Sequence, residues 1–434
     1  MRYLLDLLYL FVAVILSPWL IYKSITTGKY RRGLWSKITG STPSVPQSKP
    51  IVWFHGVSVG EIHLLGPVVA SFQRRHPDWN CVISTTTDTG YEEARKRFPD
   101  WPVFYWPLDF SWSVGRALRA INPACVVLAE GELWPNFLLS AKRREIPVCM
   151  INGRLSPRSF RRYSSIRWLA RRLFKQVDLF AVQTAAYADS YRKLGVDPHR
   201  VVVTGSVKYD GVAGDRNNAK TLALGRLLNV RDDDLVWIAG STQAPEEQVA
   251  LDIYRRISKS HPTLRLFLVP RQRDRFDEVA ALLQKSELRF VRRSQIQEPI
   301  TDQRAMVLVD TIGELGSLWG LAGIAFVGGS IDGKRGGQNM IEPAAYGAAV
   351  VFGPHVWNFR DTADRLLQAE AAVQAETAAQ LEQIVSRLIV NTAERRRLGI
   401  AARKLVLSQQ GATERTIDCI DRLLAGRTSR EKAA

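Results

Sequence analysis

The chain has 434 residues, of which 46% are hydrophobic and 24% charged, with 30 Gly and 20 Pro. That is globular composition at a length of two or three domains, which excludes a disordered chain, a collagen and a coiled coil. Lys and Arg number 60 against 42 Asp and Glu, a formal charge of +18, and so large an excess calls for an anionic partner such as nucleic acid, a phospholipid surface or a phosphorylated substrate. Four cysteines, Cys81, Cys125, Cys149 and Cys419, stand singly. Without paired spacing they form neither a zinc module nor a disulfide framework, and they suit a reducing compartment.

Residues Tyr3–Tyr22 are almost wholly apolar, with Asp6 as the one charge. At about 1.5 Å per residue they just cover a hydrocarbon core of about 30 Å. No small-residue cleavage site follows Pro18, so a removable signal peptide is not expected. Lys23, Lys29, Arg31, Arg32 and Lys37 follow the stretch and only Arg2 precedes it, which predicts a membrane-anchor helix (1–25) with the remainder on the cytoplasmic side. Asp6 and Pro18 leave a shallow interfacial helix as the competing form. A basic juxtamembrane segment and a turn-rich linker through Pro50 occupy 26–50.

From Ile51 short apolar runs alternate with helical patterns, the mark of parallel β-α-β units. The expected strands of a first series lie at 51–54, 81–84, 103–105, 125–128, 148–151, 179–182 and 201–203. After the polar break Gly214–Asn218 a second series follows at 235–239, 264–269, 306–309, 324–327 and 349–352, ahead of a helical tail over 378–424. The fold class is α/β, with Rossmann-like doubly wound domains at 51–213 and 214–434. A cleft between their strand C-termini is the expected site.

Several loops at predicted strand ends carry groups suited to chemistry. His55-Gly56-Val57-Ser58-Val59-Gly60-Glu61 is glycine-containing but is not a dinucleotide fingerprint, and it places Glu61 in a helix's first turn, where it can act as a base. A favourable first-turn acid is the structural alternative. Glu130-Gly131-Glu132 follows another strand, and Lys208 closes the domain's last one. Between Ile146 and Val177 stand eight basic residues and no acid, among them Arg154, Arg158, Arg161, Arg162, Arg171 and Arg172, interleaved with aromatics. Such a surface suits anionic lipid, and no RNA-binding sheet signature accompanies it. In the second domain Pro270-Arg271 puts a guanidinium where a phosphate would lie, and Gly328-Gly329-Ser330 with Gly336–Pro343 reads as a glycine-rich anion cradle.

Taken in order, these motifs resemble the 3-deoxy-D-manno-octulosonic acid (Kdo) transferases of GT-B fold: Ser58–Glu61, Thr85–Gly90, Glu130–Asn136, Asn152–Ser156, Asp310–Leu315 and Phe326–Ser330. The resemblance implies an inverting transfer of Kdo from CMP-Kdo to a phosphorylated lipid A precursor at the cytoplasmic face of the inner membrane, without metal or other cofactor and without nucleic acid. It assigns Glu61 as catalytic base and Glu130 and Lys208 as transition-state helpers. It assigns CMP to the stretches matching Pro270 and Arg271, Ile312, Gly313 and Glu314, and Asn339, Met340, Ile341 and Glu342. Gln243, Gln272 and Gln338 stand where the family commonly has histidine, so those positions cannot become cationic. The alternatives are another GT-B transferase with a different nucleotide sugar and lipid acceptor, and a non-catalytic sugar-lipid binding protein.

Overall fold

The computed structural model describes residues 2–27, 32–131, 133–302 and 304–431. Lys29 and Arg31 of the basic flank and Glu132 of the acidic pair lie outside the described residues. The chain divides into two units, Met1–Asp210 with Gln410–Ala434, and Gly211–Gln409.

The first unit is built on a seven-stranded parallel sheet: β1 (Ile51–His55), β2 (Asn80–Thr85), β3 (Val103–Tyr105), β4 (Cys125–Ala129), β5 (Val148–Gly153), β6 (Leu179–Val182) and β7 (Val201–Val203), in the order β3-β2-β1-β4-β5-β6-β7. Helices cover both faces, which is why β1, β4 and β5 are buried at every residue and read as unbroken apolar runs. Trp53 is fully buried on one face, with Phe104, Trp106 and Phe137 at ring separations of 5.1–5.4 Å. The chain reverses its direction of travel across the sheet between β1 and β4, which pair side by side. Loops diverge at such a switch point, leaving a crevice beyond the strand ends.

The second unit repeats the plan with β8 (Leu235–Thr242), β9 (Leu264–Pro270), β10 (Phe290–Arg292), β11 (Met306–Leu308), β12 (Ile324–Val327), β13 (Ala349–Phe352) and β14 (Ala372–Gln374), in the order β10-β11-β9-β8-β12-β13-β14. Its switch point lies between β8 and β12. Two short edge strands, β10 and β14, were not expected from the apolar pattern.

Two expectations are corrected. The domain assigned to 214–434 ends instead at Gln409, because the helix Ala412–Glu431 belongs to the first unit. Its buried Ile417 and Ile420 complete that unit's core, and Glu414, Asp418 and Asp421 converge on Arg75 at 2.7, 2.5 and 2.9 Å. The second correction concerns the N-terminus. Among the described residues no helix is long and apolar enough to cross a membrane, so the expected span and signal anchor are not supported.

Residues Arg2–Thr27 do form one helix, and Asp6 is what seats it. The Asp6 carboxylate is 5% exposed and accepts from Ser111 N (2.8 Å), Ser111 Oγ (2.5 Å) and Asn136 Nδ2 (3.0 Å). A charge that would oppose a span is therefore a helix cap for the segment Ser111–Ile121. Beside it Asp109 accepts from Asn136 N (2.9 Å), Phe137 N (2.8 Å) and Tyr9 Oη (2.9 Å). The opposite side of the helix exposes Leu4, Leu7, Phe11 and Val14.

Burial, with the Asp6 charge adding to it, pushes the Asp109 carboxyl from its ordinary 3.8 up to about 6, against the pull of the two backbone N–H groups. An acid with a raised folded pKa holds its proton more tightly when folded. Its contribution to stability is fully present below the ordinary value and is lost as the pH rises through the raised one. Between about pH 4 and pH 6 the wild type should therefore lose a component of unfolding free energy that Asp109→Asn does not lose. Parallel stability-against-pH curves from denaturant melts would show that Asp109 titrates ordinarily.

Candidate functional site

In the first unit the site grows from the β1 and β4 ends. After β1 the chain turns at Gly56–Ser58, and Thr85 Oγ1 and Thr87 Oγ1 both donate to Val57 O at 3.1 Å, fixing the turn from the neighbouring strand. Gly56 admits close packing, since a Cβ there would lie 3.1 Å from the Glu61 Cβ. Glu61 stands in the first turn of the helix Val59–Arg75 and accepts from Val57 N at 2.6 Å. Just before the turn His55 stacks on Trp106 at 3.8 Å, and burial pushes its imidazole down to about 3. A neutral, wedged imidazole is scaffolding rather than an acid or base at neutral pH.

After β4, Glu130 takes a left-handed conformation (φ 60°). Its carboxylate receives Lys208 Nζ at 2.8 Å and Asn152 Nδ2 at 3.4 Å on one oxygen, and Arg154 Nε at 3.5 Å on the other. One acid between two cations leaves a net positive cluster, suited to stabilising charge that develops on an oxygen nearby. Glu61, Glu130 and Arg154 line one cavity of about 310 Å³, whose other walls include Leu133, Leu155 and Tyr163. Glu61 and Glu130, 69 residues apart in sequence, therefore line one cavity, and Lys208 joins them through Glu130.

Arg154 thus departs from the basic group to which its sequence position assigned it. Arg158, Arg161, Arg162, Arg171 and Arg172 are all exposed on the helices Pro157–Ser165 and Arg167–Phe174, and no ion pair to them is present among the described residues. Exposed Trp168 and Ile166 lie among them. A second cavity of about 330 Å³, lined by Arg162, Ser165 and Ile166, shares Ser159 and Tyr163 with the first.

In the second unit Pro270 ends β9 and Arg271 follows, exposed, with its N–H on Thr242 O at 3.1 Å. Asn339 caps Ile341 N at 3.0 Å and donates to Glu342 at 2.9 Å. Burial pushes the Glu342 carboxyl up, while Asn339 and the charge of Arg271 pull it down. Gly313 has φ 92° with open space where a Cβ would be, and Ile312 beside it is exposed. Glu314 is held by Arg293 at 2.7 Å and by the Thr311 hydroxyl. Met340 and Ile341, expected at the ligand, are instead 0% and 1% exposed: their side chains turn into the core at the start of the helix Ile341–Ala345. Gln243 is buried, whereas Gln272 and Gln338 are partly exposed.

The glycine-rich turn is also corrected. Gly329 N and Ser330 N do not wait for a ligand anion; they donate to the buried Glu246 carboxylate at 2.7 and 2.8 Å, and Gly328 N donates to Gly240 O at 2.9 Å. Sequence reasoning missed Glu246. It also missed Asn152, fully buried at φ 52°, whose Oδ1 accepts Val207 N at 3.1 Å while its amide reaches Glu130. Asn tolerates left-handed backbone better than most residues, which was the one available signal.

The family model described as "3-Deoxy-D-manno-octulosonic-acid transferase (kdotransferase)" matches residues 31–211. The 3-deoxy-D-manno-octulosonic acid transferase of Chlamydophila psittaci is 34% identical over 371 residues, covering 85% of this chain and 84% of that protein. The chain belongs to the Kdo transferase family. The Haemophilus influenzae Kdo transferase is likewise 34% identical, across 85% of this chain and 86% of its own. This protein is accordingly a Kdo transferase, a glycosyltransferase. Among solved structures, the UDP-GlcNAc 2-epimerase of Neisseria meningitidis matches at TM-score 0.56 and 11% identity, covering 87% of this chain and 100% of that one. MurG of Acinetobacter baumannii matches at 0.54 and 15%, covering 86% and 99%. At those identities the likeness concerns the two-domain GT-B fold alone.

Asn152 ties the Glu130 turn to the Lys208 segment, so removing its amide strands the buried Val207 N–H. Asn152→Ala is expected to lower the stability of the first unit by about 1–3 kcal/mol, read as a lower denaturant midpoint at constant slope. An unmoved midpoint would show that the bridge carries no weight.

Proposed function

We propose that this Kdo transferase takes Kdo from CMP-Kdo and places it on a phosphorylated lipid A precursor with inversion, Glu61 acting as general base. The observation that carries this is the shared cavity, where the Glu61 carboxylate faces the same space as the Lys208–Glu130–Arg154 cluster. Glu61 takes the proton of an acceptor hydroxyl as that oxygen bonds to the anomeric carbon. The bond from that carbon to the CMP phosphate breaks, and its electron pair leaves with the phosphate. Because CMP carries a single phosphate, one guanidinium such as Arg271 and nearby backbone N–H groups suffice as countercharge. No step in this scheme calls on a metal ion. Stabilising the negative charge that develops on oxygen falls to the cationic cluster around Glu130.

The acceptor and its surface are read from charge. Exposed arginines with no acid partner among the described residues, beside Trp168 and Ile166, together with the apolar outer side of the N-terminal helix, suit a monotopic seat on an anionic membrane, here the cytoplasmic face of the inner membrane. Leu133, Leu155 and Tyr163 in the wall of the first cavity offer apolar contact to an acceptor that is itself a lipid.

Glu61→Gln keeps shape but cannot accept a proton, so transfer should fall about a hundred- to ten-thousand-fold while CMP binding, measured by calorimetry, stays close to wild type. Near-normal turnover would remove Glu61 from the mechanism. Replacing Arg161, Arg162, Arg171 and Arg172 together by Gln should weaken binding to phosphatidylglycerol vesicles, each contributing roughly 1 kcal/mol near an anionic surface. Wild-type binding should itself weaken with added salt. Vesicle binding unchanged by both treatments would make this an ordinary solvated face.

A further inference from the structure

The helix Glu246–Ile257 begins with two adjacent glutamates, each 1% exposed. Glu246 reaches across the β8–β12 switch point. One oxygen accepts Gln243 N (2.9 Å) and Gly329 N (2.7 Å), and the other accepts Ser330 N (2.8 Å) and Ile331 N (3.1 Å). Every oxygen meets two donors, so this site fits an acceptor-only carboxylate and not an amide, whose NH₂ would confront two N–H groups. Glu247 turns the other way and takes Arg275 in a two-pronged pair at 2.6 and 3.2 Å.

We infer that Glu246 and Glu247 are positioning residues for the sugar-nucleotide donor, tying the turn after β12 and the turn after β9 to one helix start. From the first turn the order passes on: Gly337 N donates to Gly329 O at 2.8 Å, setting the segment that carries Gln338 and Asn339. From the second, Arg275 fixes the short 3-10 turn Arg273–Arg275 that follows Arg271. Gly328 has no alternative, because a Cβ there would lie 2.6 Å from the Glu246 oxygen and 2.7 Å from the Thr242 Cα. The glycine turn's amides thus already hold an anion, the chain's own. The donor's phosphate is then met by Arg271 and the 336–340 segment rather than by Gly329 and Ser330.

This rests on the CMP-Kdo reading of the second unit, and the test separates the two. Absence of CMP binding by the wild type would overturn that reading together with this one. Given binding, Glu246→Gln should raise the Kd for CMP and the KM for CMP-Kdo roughly tenfold or more, as loss of hydrogen bonds to a charged group does, and leave the acceptor KM unchanged. Leu388→Ala, a core cavity in the same unit, should lower the melting temperature without moving the CMP Kd. An unchanged Kd in Glu246→Gln, or an equal loss in Leu388→Ala, overturns the positioning role. Should Glu246→Gln fail to fold, hydrogen exchange on the wild type decides: added CMP should slow amides of 336–340 and leave the already slow Gly329, Ser330 and Ile331 unchanged. New protection of those three by CMP would show that they contact the donor.

Discussion

A buried carboxylate accepting backbone N–H groups is the interaction on which both units depend. Asp6 and Asp109 close the starts of the helices Ser111–Ile121 and Pro135–Arg143, Glu61 accepts from its own entry turn, and Glu246 gathers four amides from two loops. Asp210 does the same for Gly411 N at 2.7 Å and for Thr413 N, bringing the terminal helix back to the first unit. A carboxylate without amide or cation partners would be costly to bury, whereas one with several N–H donors is both satisfied and directional. Apart from Glu61, each of these carboxylates joins segments far apart in sequence, so it sets geometry that no local preference could.

That use of acids explains the character of the surface. The chain has 18 fewer acids than bases, and several of its acids are spent inside on backbone. The arginines of the helices Pro157–Ser165 and Arg167–Phe174 have no acid partner among the described residues, while Arg154, itself exposed, shares Glu130 with Lys208. One run of basic sequence thereby supplies both a charged outer face and one wall of the cavity beside Glu61.

The cavity beside Glu61 owes its place to topology. In a parallel sheet all strand C-termini lie on one edge, and adjacent loops part only where the winding reverses. The β1–β4 pairing puts Glu61 and Glu130 at that point in the first unit, and the β8–β12 pairing puts Gln243 and Gly328–Ser330 there in the second. The same architecture yields a carboxylate-lined cavity in one case and a tightly braced turn in the other, because the side chains at the strand ends differ.

Much of this was legible in the amino-acid order itself. Apolar runs bounded by turn residues located twelve of the fourteen strands among the described residues, since burial on both faces leaves a local mark. Strand-end position singled out Glu61, Glu130, Lys208 and Arg271, since side chains there have few purely structural roles. What local pattern could not carry was pairing over distance. Asp6 looked like a flaw in a membrane span until Ser111 and Asn136 met it, the terminal helix looked like part of the second domain until Arg75 met Glu414, Asp418 and Asp421, and the glycine turn looked vacant until Glu246 filled it. Periodicity reports whether a residue is buried, but a buried charge acquires its meaning from its partner, and only the tertiary structure chooses that partner.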